Sequence, residues 1–128
     1  MTEAQIVLAR RAVAAPGWRW MRGMRIAGTK FASVVAVRDG APCGAEEGAT
    51  CDDNAAVWLD EWTTPMLPDL SDPLTALGLL ALVRERWGTT AHCLQAVDCC
   101  WYVWVEFRLV AGANTETEAL IAALEAAP

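Results

Sequence analysis

Thiols are the first side chains in this sequence that could do chemistry. The chain carries five cysteines, Cys43, Cys51, Cys93, Cys99 and Cys100, and one histidine, His92. Four of these six groups fall within "AHCLQAVDCC", residues 91–100. Structural zinc sites favour C-x2-4-C pairs, because that spacing lets two sulfurs reach one ion from a single turn. Here a His-Cys pair is followed by five residues and then by two adjacent cysteines. Adjacent side chains on an extended chain diverge. The expectation is therefore no metal and no cofactor, with the thiols acting as small hydrophobes. Cys43 and Cys51 would close a short loop in an oxidising compartment. An odd number of cysteines behind an N-terminus, "MTEAQIVLARRAV", without a leader pattern points instead to reduced thiols in a cytoplasmic protein.

Catalytic signatures are sparse. His92 has no nucleophile motif beside it, and the sequence has no G-x-S-x-G, no phosphate-binding glycine loop and no H-E-x-x-H. "CDDN" lacks the ligand spacing of a calcium loop. A carboxylate-pair enzyme leaves little local trace, but the reading these residues favour is a protein that is not an enzyme.

Binding chemistry is better represented. The net charge of −6 conceals a split. Residues 1–38 hold seven bases against Glu3, whereas residues 39–128 hold fifteen acids against Arg84, Arg86 and Arg108. An acidic exterior repels phosphates at long range and suits a basic protein partner. Asp52, Asp53, Asp60 and Glu61, in or beside a long loop, are candidate partner-binding residues. Tyr102, Trp104 and Glu106 join them, because alternate positions of "WYVWVEFRLV" put them on one side of a strand and Trp101, Val103, Val105, Phe107 and Leu109 on the other. The second set is wholly apolar and is expected to lie under helices. "PGWRWMRGMR" interleaves Trp18 and Trp20 with Arg19, Arg22 and Arg25, which single-stranded nucleic acid would accept. No nucleic-acid-binding motif accompanies it, and the same residues suit a packed segment with arginine stems lying over apolar surface. Nucleic acid is the weaker alternative.

The elements that must position these groups can be read from caps and periodicity. A capping box at "TEAQ" starts a first helix carrying Ile6, Ala9 and Val13, and "PG" at 16–17 ends it. Asp72 as N-cap, Pro73 at the first position and Gly88 past the end frame a second helix. Its expected core stripe is Leu74, Leu77, Leu80, Ala81 and Trp87. Gly78 in its interior costs about 1 kcal/mol against alanine, which a close neighbour would explain. "TETE" starts a third helix at Thr115, with Leu120, Ile121 and Leu124 following. Strands are expected over 30–40, closing on Asp-Gly, and over 55–62. Residues 91–97 and 101–110 should form a hairpin around "DCC". Residues 41–54 read as a long loop with room for a short strand. The prediction is a single α+β domain over 1–128: an antiparallel sheet of about four strands with three helices, in the order α-β-β-α-β-β-α. The longest apolar stretch, residues 74–83, is about half of a membrane span.

"PGWRWMRGMR", "PDLSDPLTALGLLALVRERWG" and "TETEALIAALEAAP" together resemble a family of small uncharacterised bacteriophage and prophage proteins. Those proteins share a W-x-W-M-x-G-M segment, a PDLSDP…LLALVRE-W helix and a TEAEALVAALEAA-like C-terminal helix. The resemblance covers residues 15–25, 68–88 and 115–128, about a third of the chain, and departs in the middle loop and the cysteine-rich hairpin. It implies a phage accessory protein in a bacterial host cell, working by stoichiometric binding to a host protein or complex. Inhibition of a defence complex, in the manner of anti-CRISPR proteins, is the sharpest form of that expectation. A self-associating assembly component of a phage is the alternative.

Overall fold

The computed structural model describes residues 2–27, 31–38, 41–46, 57–58 and 67–128, with side chains described for 2–27 and 67–128. Among the described residues, three helices and two antiparallel sheets make an α+β fold. The order is α1 (Glu3–Ala14), β1 (Phe31–Arg38), β2 (Ala41–Glu46), β3 (Val57–Trp58), α2 (Pro73–Trp87), β4 (His92–Gln95), β5 (Trp101–Val105), β6 (Arg108–Ala113) and α3 (Glu116–Glu125). Each sheet is a three-stranded meander, β1-β2-β3 and β4-β5-β6. Among the described residues, the pair of strands expected on either side of α2 is thus three on each side. Within the loop expected over 41–54, residues 41–46 form β2, with Arg38 opposite Ala41.

The chain divides into two compact units, Met1–Ala9 with Arg19–Gly78, and Arg10–Trp18 with Leu79–Pro128. In the first, the arginine-tryptophan segment is a packed strut. Trp20, Met24 and Ile26 are buried, and Ile26 bridges Pro68. Thr75, the one buried polar residue described, closes the join. Its hydroxyl donates to Asp72 Oδ2 at 3.2 Å and accepts from Arg25 N at 2.9 Å. Asp72 Oδ2 also accepts from Thr75 N at 2.9 Å, the N-cap bond expected from the sequence. A Cβ on Gly78 would stand 2.6 Å from Met24 Cε and 2.9 Å from Met24 Cγ. Met24 therefore supplies the close neighbour that the glycine implied.

The core stripe of α2 is not the expected one. Leu74 and Leu77 are 55 % and 61 % exposed, Leu80, Ala81 and Trp87 are half-buried, and Thr75, Ala76, Leu79, Leu82 and Val83 are buried. The helix is apolar on nearly every side, so periodicity alone cannot choose a face. The tertiary contacts at Thr75 and Gly78 make that choice. Similarly, α1 buries Ala9 and Ala12 and leaves Val13 exposed.

In the second unit α3 lies against β6, β5 and β4. Thr115 caps it, accepting from Glu118 N at 3.2 Å. Ala119, Leu120, Ile121, Ala123 and Leu124 are fully buried, as is Val103 at the centre of β5. Trp87 Nε1 donates to Ala123 O at 2.8 Å, and Arg11 pairs with Glu125 at 2.6 Å. Among the described residues no helix is long and apolar enough to cross a membrane.

Candidate functional site

The open side of the β4-β5-β6 sheet is the candidate site. Cross-strand register builds it from two rows. Leu94, Tyr102 and Gly112 form one, and His92, Trp104 and Leu109 the other. Tyr102 and Trp104 share a face because they are alternate residues of β5. Val103, between them, points the other way and is fully buried, on the side α3 covers. Leu94 and Leu109 are 56 % and 48 % exposed, and Tyr102 and Trp104 are half-buried. The hairpin turns at the two ends of β5 each present a fully exposed apolar side chain, Val97 at one and Phe107 at the other.

The expected single strand over 101–110 does not form. Val105 pairs with Arg108, so Glu106 and Phe107 are the two residues of a tight hairpin loop, with Glu106 at φ 56°. The reversal undoes the alternation beyond position 105. Phe107, expected in the core, is wholly exposed at the tip. Glu106, expected beside Tyr102 and Trp104, lies in the turn. A register shift next to Trp104, where Val110 is the extra residue, then sets Leu109 opposite Trp104, so Leu109 moves from the expected core set to the open face. Arg108 falls opposite Val105, and its guanidinium sits over the Trp87 ring at 5.8 Å, beside an open groove lined by Val105, Glu106 and Phe107.

Tyr102 is held in place from two directions. A Cβ on Gly112 would meet its ring at 2.8 and 2.9 Å, so the ring rests on the bare backbone of β6. Its hydroxyl donates to Asp98 Oδ2 at 2.9 Å, while Asp98 Oδ1 accepts from Cys100 N at 3.0 Å. That hydrogen bond to Asp98, followed by the carboxylate's charge, pushes the Tyr102 hydroxyl above its ordinary pKa. The β4–β5 turn is closed by Ala96 N to Cys100 O at 2.8 Å and Cys99 N to Ala96 O at 3.0 Å, with Cys99 at φ 67°.

The cysteines of this hairpin are free thiols that differ in exposure, Cys99 exposed and Cys93 and Cys100 half-buried. Burial, with the nearby Glu116 carboxylate second, pushes the Cys93 thiol up to about 11. His92 Nδ1 lies 3.1 Å from Thr90 O, which fits an Nδ1–H donor. Among the described residues no three His, Cys, Asp or Glu side chains gather as metal ligands.

Of the other expected site residues, Asp52, Asp53, Asp60 and Glu61 lie outside the described residues. Arg19, Arg22 and Arg25 are exposed, and Arg25 reaches Asp69 at 3.9 Å. Trp20 between them is only 7 % exposed, so it offers no stacking surface to a nucleic acid. Sequence reasoning missed His92, Leu94, Leu109 and Gly112. A turn made of "DCC" would set Leu94 opposite Trp104; the observed turn is centred one residue earlier, on Asp98, which sets Leu94 opposite Tyr102, and β6 required the reversal at 106–107. Comparison with protein-family models, with curated proteins and with solved structures finds no match, so the reading of this face rests on its own geometry.

Proposed function

We propose that this protein is not an enzyme and acts by binding another protein through the open face of β4-β5-β6. One observation carries the reading. Leu94, Tyr102, Trp104 and Leu109 lie together on a sheet face whose opposite side is filled by α3, and Val97 and Phe107 stand fully exposed in the turns at its two ends. Contiguous exposed apolar surface with central aromatics is the usual composition of a protein-binding patch. The resemblance to phage and prophage proteins supports a bacterial host protein as the partner, and a nucleic-acid-handling defence complex is the specific target we propose. The acidic residues Asp52, Asp53, Asp60 and Glu61 would add attraction for a basic partner.

The test uses Leu94→Asp combined with Leu109→Asp, two exposed positions that leave the core untouched. Retention of a host partner by the native chain, and its loss in the double variant at unchanged melting temperature, is the expected result. Equal retention by both would remove the reading. Light scattering at micromolar concentration separates a second interpretation, suggested by the same apolar face. A dimer that the double variant dissolves would make the partner a second copy of this chain.

A further inference from the structure

Two of the four indole N–H groups of the second unit, those of Trp87 and Trp104, differ in how they are used. Trp87 Nε1 is bonded to Ala123 O at 2.8 Å. The Trp104 indole N–H makes no hydrogen bond to any described residue, and its nitrogen is not sealed from solvent. This unused donor is flanked across the strands by His92 and Leu109 and along β5 by Tyr102. Whatever covers the face must bring an acceptor to it, because burying an N–H unpaired is costly.

That requirement sorts the classes of ligand. A helix lying along the face has its carbonyls bonded internally except in the last turn. A partner strand directs its carbonyls to a sheet edge, not to a sheet face. A polyproline II segment has no internal hydrogen bonds, so its carbonyls are free along its length. Its proline rings are flat apolar groups that dock on aromatic side chains, and its stiffness lowers the entropy lost on binding. The receiving ring is also fixed in advance, since Gly112 and Asp98 hold Tyr102 in one position. Asp98 and Glu106, in the turns at opposite ends of β5, set a carboxylate beyond each end of the strand, where a basic side chain would be attracted.

We infer that the open face binds a proline-rich segment in the polyproline II conformation, flanked by Arg or Lys. Trp104 Nε1 donates to one of its carbonyls and Tyr102 provides the stacking surface. This rests on the partner-binding reading above and specifies the partner's chemistry.

The experiment titrates the full-length, isotope-labelled protein with a synthetic peptide of about eight prolines carrying an arginine at each end. A basic amphipathic helical peptide of equal charge is the comparison. Saturable binding of the proline peptide with a downfield shift of the Trp104 indole N–H resonance is the expected result, and that shift needs no substitution. Trp104→Phe keeps an aromatic ring and removes the donor, and it should weaken binding about 5- to 10-fold. Binding of the helical peptide but not the proline peptide overturns this inference and leaves the partner-binding reading intact. Undiminished binding of the proline peptide by a folded Trp104→Phe variant, or an unmoved indole resonance, also overturns it. Failure of both peptides, together with unchanged partner retention by the Leu94/Leu109 double variant, removes both readings.

Discussion

Tyr102 is the single tyrosine of the chain, so its ionisation can be followed by absorbance without interference from another phenol. Because Asp98 accepts its proton, the midpoint should lie above the ordinary value of 10.0. Asp98→Asn removes the carboxylate's charge and should bring that midpoint down, and an unmoved midpoint would mean the bond does not persist in solution. The thiols should separate in the same way. Alkylation at pH 8 followed by mass spectrometry should modify exposed Cys99 well before Cys93, whose burial holds it protonated up to about 11. These two tests both read the β4–β5 hairpin. Tyr102 and Trp104 were legible as a shared face because strand alternation is local. The hold of Gly112 on the Tyr102 ring was not, since those residues are ten positions apart and meet only through pairing of β5 with β6.

At the scale of elements, caps were legible and faces were not. Thr2, Asp72 and Thr115 cap their helices as the sequence indicates, because a cap is completed by residues three positions away. The buried face of α2 depends instead on Met24, which sits against Gly78. Gly78→Ala should consequently destabilise the protein by about 1 to 2 kcal/mol, despite a helix-propensity gain of about 1 kcal/mol, because the added methyl overpacks a buried side chain. In a Met24→Ala background the same change should stabilise, and chemical denaturation of the four proteins of this cycle reads the reversal of sign. The hairpin at 106–107 stores a different strain. Glu106 at φ 56° occupies a region that favours glycine, so Glu106→Gly should raise unfolding stability by about 1 kcal/mol. A loss of stability there would argue that the Glu106 side chain makes a contact worth more than the strain.

For the whole molecule, the raised ionisations of Cys93 and Tyr102 act in one direction. Each group keeps its proton longer folded than unfolded, so its contribution to stability is complete below its ordinary pKa and is lost as pH climbs through the folded value. Unfolding stability should decline as the solution is taken from about pH 9 to pH 11, and Cys93→Ser should flatten that slope; an equal slope would assign the decline to other groups. The sequence by itself determined the α+β class, the three helices with their caps, and the Tyr102/Trp104 pairing, since each depends on residues within a turn or two of one another. Only tertiary structure decided that residues 101–110 fold back on themselves, exposing Phe107 and bringing Leu109 beside Trp104. It also decided which side of the uniformly apolar α2 is buried. The α2 face depends on residues far apart in the chain, Met24 against Gly78 and Arg25 against Thr75, and the fold-back on a turn that an apolar run does not mark, because apolar composition is the same whether a side chain faces core or solvent.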